Sequence, residues 1–204
     1  MIKMADNARI DRMTSIDDAD LDDLCKATDD AILDGNGFGW LRPPPRATLK
    51  RYWRGVVLVP ERELYVARLD GGIVGSAQLL RPPANNEAGG HAATLTTFFI
   101  APWARGHGLA RNLLRTVETS ARTHGFRLLD LDVRATQEAA IQLCQNFGFI
   151  RWGVKEKYAL VNGQYVAGFY FSKTLLPEQS GPDRQADGGD AQQRRSQAEQ
   201  AERS

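Results

Sequence analysis

The chain has 204 residues, 42% hydrophobic and 25% charged, with a formal net charge of +1, which fits one soluble globular domain and leaves a second sizeable one cramped. A chain of this length can bury enough apolar surface to fold without disulfides or a structural metal, and near-zero charge argues against a general nucleic-acid binder. No apolar run reaches the ~18 to 20 residues of a membrane span and no signal peptide is evident, so a cytoplasmic protein with reduced thiols is expected, with no membrane partner.

In chain order, residues 1–8 are expected to be flexible and a single domain is expected over 9–176, opening on a strand. A helix is predicted over 17–33, where Leu21, Leu24, Cys25, Thr28 and Ile32 form one stripe. The run Asp18, Asp20, Asp22 hints at a calcium loop, but Asp23 stands where that loop needs glycine. Cys25 therefore reads as core. No CxxC or HxxxH spacing joins His91, His107 and His124 to Cys25 and Cys144, so no metal is expected. The stretch 36–46 is a Gly/Pro-rich connection carrying Phe38 and Trp40, and Pro43 to Pro45 act as a rigid spacer or, less simply, a ligand for a proline-binding module. A second helix is predicted over 47–57. Strands over 63–69 and 73–80 flank Asp70-Gly71-Gly72, a tight hairpin turn. A loop over 82–90 leads to a strand over 92–100, rich in Thr and Phe.

A helix over 108–124, stopped by Gly125, and a strand over 128–133 follow. Thr136 is predicted to cap a helix bearing Ala140, Ile141, Leu143, Cys144 and Phe147, ended by Gly148. Strands over 154–161 and 165–174 flank the hairpin signal Asn162-Gly163. From Pro177 to Ser204 no Val, Ile, Leu, Met, Phe, Trp, Tyr or Cys occurs, so a disordered polar tail is expected. The order β, α, α, β, β, β, α, β, α, β, β is an α/β arrangement, a mixed α+β sheet with helices on its faces.

The informative segment is Ile100-Ala-Pro-Trp-Ala-Arg105-Gly106-His107-Gly108-Leu109-Ala110, between a strand and an amphipathic helix. A helix start offers unpartnered N–H groups, and two glycines let the backbone before it curl so that amides converge on an anion such as a pyrophosphate. Side chains at either glycine would hinder close approach, and Arg105 would add positive charge. A plain strand-to-helix turn explains the same residues. GxxxxGK[ST] is absent and Arg105 replaces the first glycine of GxGxxG, which removes the triphosphate and dinucleotide readings.

Arg105, Gly108 and Ala110, after an Ile-x-Pro step, resemble the acetyl-coenzyme A signature [Arg/Gln]-x-x-Gly-x-[Gly/Ala] of the GCN5-related N-acetyltransferase (GNAT) family. The likeness continues through Leu128-Leu-Asp-Leu-Asp-Val133, Ala140-Ile-Gln-Leu143 and Gly148-Phe149, covering roughly residues 65–175. It implies one GNAT-like domain, a central sheet of about six or seven strands flanked by about four helices and splayed at its two parallel central strands. It also implies transfer of an acetyl group from acetyl-CoA to a primary amine of a small molecule or peptide. Backbone groups of Phe98 and Ile100 would pair with pantetheine amides, the Ile100 N–H would polarise the thioester carbonyl, and Arg105, Gly106, His107, Gly108, Leu109 and Ala110 would hold the pyrophosphate through main-chain N–H groups.

For the base that deprotonates the amine, Asp130 and Asp132 share one side of their strand. Asp132, nearer the C-terminal end, is preferred, against a structural use in capping the next helix or pairing with Arg134. Glu87 and His91 are weaker options. Cys144 stands where many members of the family carry a tyrosine proton donor, so the acid is either the Cys144 thiol, which packing alone would also explain, or the hydroxyl of Tyr158. Gln137 takes the place of a frequent Asn. An alternative function is a non-catalytic acyl-CoA-binding sensor. A third is partner binding through Phe38, Trp40, Trp53 and the proline run. Exposed C-terminal strands could pair two chains into a homodimer.

Overall fold

A computed structural model describes residues 7–35 and 39–175. The polar tail over 177–204, most of the expected N-terminal segment and Phe38 lie outside them. The elements are β1 (Ala8–Met13), α1 (Asp18–Leu33), α2 (Arg46–Val56), β2 (Arg62–Leu69), β3 (Gly72–Leu80) and β4 (Ala92–Ile100). A 3-10 turn, Pro102–Ala104, leads to α3 (Leu109–Thr123), β5 (Leu128–Arg134), α4 (Glu138–Asn146), β6 (Ile150–Val161) and β7 (Gln164–Thr174). The seven strands make one mixed sheet in the order β1-β2-β3-β4-β5-β7-β6, and only β4 and β5 run parallel.

Alternation along β2 explains how both faces become covered. Leu64 and Val66 point to one side, where they meet Leu21, Leu24 and Cys25 of α1 and Leu49 and Trp53 of α2. Tyr65 and Ala67 point to the other, against Leu109, Leu113 and Val117 of α3. Asp17 starts α1 by accepting the Asp20 N–H at 2.8 Å. Trp53 is fully buried, and its indole N–H donates to Thr28 Oγ1 at 3.1 Å, so the largest side chain of this core has its polar atom satisfied.

Three local expectations are corrected. Ala8, expected in the loose N-terminus, is buried and pairs with Leu69 in β1. Gln137, not Thr136, is the N-cap of α4 and makes no side-chain cap bond. β6 begins at Ile150 rather than Val154: Gly148 turns the chain at φ +83°, Phe149 drops into the core, and Ile150 at once pairs with Ser172.

Candidate active site

The parallel pair β4–β5 is joined only at Ala92–Leu128, Ala93–Leu129 and Thr94–Asp130. Beyond Thr94 the strands part around a cavity of about 750 Å3, walled by residues 95–100 of β4, residues 131–134 of β5, Leu143 and Cys144 of α4, Trp40, Tyr52 and Tyr158. A bulge in β4 opens this gap. Gln78 pairs with Thr96 and Ser76 with Phe99, so Ala77 alone faces both Thr97 and Phe98. The extra residue inverts side-chain parity: Ala93 and Leu95 face α3, whereas Phe99 faces α1 and α2 and Ile100 turns back to α3.

Thr97 takes φ +49°, a left-handed conformation costly for a β-branched residue, on the order of 1–3 kcal/mol. Ser76 Oγ holds it by donating to the Thr97 carbonyl at 3.1 Å, and the Tyr52 hydroxyl lies 3.4 Å from Thr97 Oγ1. Behind the bulge, a Cβ on Gly75 would stand 2.4 Å from the Phe99 carbonyl oxygen, so only glycine lets β3 lie this close. Ala101 N–H donates to the Val74 carbonyl at 2.7 Å. Ile100, opposite Gly75, therefore directs its N–H and C=O away from β3 and toward the gap.

At the head of the gap the loop curls through Gly106 (φ +86°) and Gly108 (φ +75°), the N-cap of α3. The first intrahelical bond runs from Asn112 N–H to the Gly108 carbonyl at 3.1 Å, which leaves the amides of Leu109, Ala110 and Arg111 without intrahelical partners. A Cβ on Gly106 would meet no protein atom within 4 Å, so its requirement is the positive φ rather than crowding from the chain. Arg105 does not aim its charge at these amides: its guanidinium pairs with Asp34 at 2.6 Å. Trp103 likewise donates to Asp30 at 2.9 Å, and the Gln137 amide donates to the Gly35 carbonyl at 2.6 Å, so the end of α1 is fastened to both banks of the gap. His107 is turned back, its Nδ1 3.2 Å from the Ala104 carbonyl oxygen.

Asp132 and Tyr158 meet. The Tyr158 hydroxyl, delivered by a bulge over 156–158 in β6, donates to the Asp132 carboxylate. Burial, and after it this bond, push the tyrosine well above its ordinary pKa. The ring lies where a side chain at Gly168 would be, 2.2 Å from the position of a Cβ there. Cys144 is buried among core residues, and burial pushes its thiol up to about 12. Asp130 sits in the closed part of the strand pair, opposite Thr94. His91 precedes that closed end, its carbonyl accepting the Arg127 and Leu128 amides, and Glu87 lines a separate surface pocket with Pro82 and Pro83. Neither faces the gap.

A family model described as "Acetyltransferase (GNAT) family" matches residues 25–149. The chain belongs to the GNAT family. One relative is the "Uncharacterized N-acetyltransferase in hisH-hisA intergenic region" of Azospirillum brasilense, 58% identical over 135 residues, which cover 66% of this chain and 80% of that one. Among solved structures, an N-acetyltransferase from Staphylococcus aureus Mu50 superposes with a TM-score of 0.71 at 21% identity, covering 83% of this chain and 99% of its own. The yncA structure from Salmonella typhimurium, solved with its cofactor acetyl-CoA, gives 0.70 at 18% identity, covering 88% and 99%. At such identities these two establish the fold alone.

Within this GNAT fold, sequence reasoning missed Thr97, Ser76, Gly75 and Gly168. Thr97 and Ser76 carried no signal, because a bulge is a property of two strands in register. A glycine inside an apolar strand is a weak sign of close approach, and Gly75 and Gly168 could have been flagged on that ground. Among the described residues no group of three or more His, Cys, Asp or Glu is placed to hold a metal, and no helix is long and apolar enough to cross a membrane.

Proposed function

We propose that the chain transfers the acetyl group of acetyl-CoA directly to a primary amine, with Asp132 as base and Tyr158 as acid. The observation that carries this reading is the gap itself: a strand with outward-facing peptide groups, unpartnered helix-start amides at its head, and a hydrogen-bonded carboxylate–phenol pair on its wall. The amides of Leu109, Ala110 and Arg111 would hold the donor's pyrophosphate, and the Ile100 N–H would stabilise the oxyanion formed on attack. The donor supplies an activated acyl group. When the C–N bond forms and the C–S bond breaks, Asp132 receives the amine proton, Tyr158 gives its own to the departing thiolate, and Asp132 restores the phenol.

Burial is the first cause raising both candidate acids, and they differ in what is added to it. For Cys144 burial is the sole raising cause and nothing in the reaction relieves it, so giving its proton to a departing thiolate is uphill. For Tyr158, part of the elevation comes from the Asp132 charge, which disappears as Asp132 is protonated. The test is thiol release from acetyl-CoA over an amine panel, beside calorimetry of acetyl-CoA binding. Release with at least one amine, lost about a hundredfold in Y158F with binding retained, is the expected result. Binding with no release for any amine would instead support the sensor reading.

A further inference from the structure

Resting on the acetyl-transfer reading, we propose that Tyr170 and Trp152 form the acceptor shelf and select primary amines carrying an aromatic ring two or three bonds from nitrogen. Asp132 of β5 and Tyr170 of β7 are direct antiparallel partners, so their side chains share a face about 5 Å apart at Cβ. From the carboxylate a row of rings leads outward. Tyr158 donates to Asp132, meets Tyr170 edge-on with centroids 6.3 Å apart, and Tyr170 meets Trp152 at 5.4 Å.

Trp152 is there because of a second irregularity in β6. Arg151 pairs with Phe171 and Gly153 with Tyr170, so Trp152 is an extra residue between two adjacent partners. A bulge of this kind re-aims a side chain, and this indole is turned onto Tyr170 while remaining 66% exposed. A large exposed aromatic on an edge strand invites aggregation unless it serves recognition. The opposite face carries the buried Leu129, Leu131 and Phe171, so the row shares the face of Asp132 and lies beside the cavity, whose lining includes Asp132 and Tyr158 but neither Tyr170 nor Trp152.

Two features then fit one ligand: an anion at the inner end to seat an ammonium, and flat apolar rings beginning one cross-strand step away. In an arylethylamine the nitrogen lies about 5 Å from the ring centre, the same span as that step. Its ring would cover Tyr170 and take Trp152 along its edge, a preferred aromatic geometry.

The full chain is assayed for thiol release at saturating acetyl-CoA with 2-phenylethylamine and with n-hexylamine, in wild type, W152A and W152F. The shelf requires a kcat/KM at least tenfold higher for the aromatic amine in wild type, a KM for it that rises about tenfold in W152A, and recovery in W152F. Equal kcat/KM for the two amines, or a W152A defect equal for both, overturns the shelf. So does a wild-type dimer that W152A turns monomeric while the ratio between amines persists. If neither amine is acetylated but acetyl-CoA binds by calorimetry, the shelf is overturned and the donor reading stands; absent binding, the reading beneath it fails.

Discussion

Replacing Gly168 with alanine perturbs the proposed acid–base pair without substituting either member. The added Cβ would lie 2.2 Å from Cγ, 2.4 Å from Cδ2 and 2.7 Å from Cβ of Tyr158, where ordinary contact begins at 3.4 Å. The ring must therefore retreat by more than about 1 Å, and a displacement of that size is enough to cost on the order of a hundredfold in rate at a positioned catalytic group. Because the clash includes Tyr158 Cβ, which no rotation of the ring moves, the bulge backbone must shift with the ring, and a stability loss of about 1–3 kcal/mol, the usual range for overpacking, should accompany it. The assay compares G168A, Y158F and the double variant for kcat, acetyl-CoA affinity and thermal midpoint. G168A should lower kcat about as far as Y158F, with acetyl-CoA affinity within a factor of two, and the double variant should be no worse than either. Full activity in G168A, or losses that multiply in the double variant, would refute the claim that this glycine works by seating that phenol.

Three further outcomes are expected. Thr97→Gly should relieve the strain at φ +49° and raise the unfolding free energy by about 1 kcal/mol, read by denaturant titration, because the steric relief exceeds the extra unfolded-state entropy of glycine. Cys144 should react with a thiol reagent at pH 8 only after unfolding, since its thiol is held at about 12, and Cys144→Ala should cost about 1–2 kcal/mol of stability through lost packing. Tyr65 is raised from 10.0 to about 12, by burial first and then by its bond to Glu63. Between those values the unfolded chain has lost a proton that the folded chain keeps, so stability should fall as pH rises from about 10 to 12, and Tyr65→Phe should flatten that fall in melts recorded across the window.

The strands around Asp70-Gly71-Gly72 and Asn162-Gly163 were legible because those turns demand positive φ at positions that few residues other than glycine and asparagine accept, and Asp70, Gly71, Asn162 and Gly163 all adopt it. The helices were legible through stripes such as Leu21, Leu24, Cys25, Thr28 and Ile32, every one of them buried. The loop of Gly106 and Gly108 was legible for the same local reason, although the destination of Arg105 was not: its partner Asp34 lies 71 residues away.

Local pattern thus determined the element order, the turns and the amide-bearing helix start, since each depends on a few consecutive residues. Only the tertiary structure decided that Thr97 is the bulged residue, that Asp132 and Tyr158 meet, and that Trp152 is rotated onto Tyr170. The physical reason is register. A strand's residues alternate with period two until one extra residue reverses them, and whether that residue is tolerated depends on the partner strand: on Gly75 leaving room and on Ser76 holding the Thr97 carbonyl.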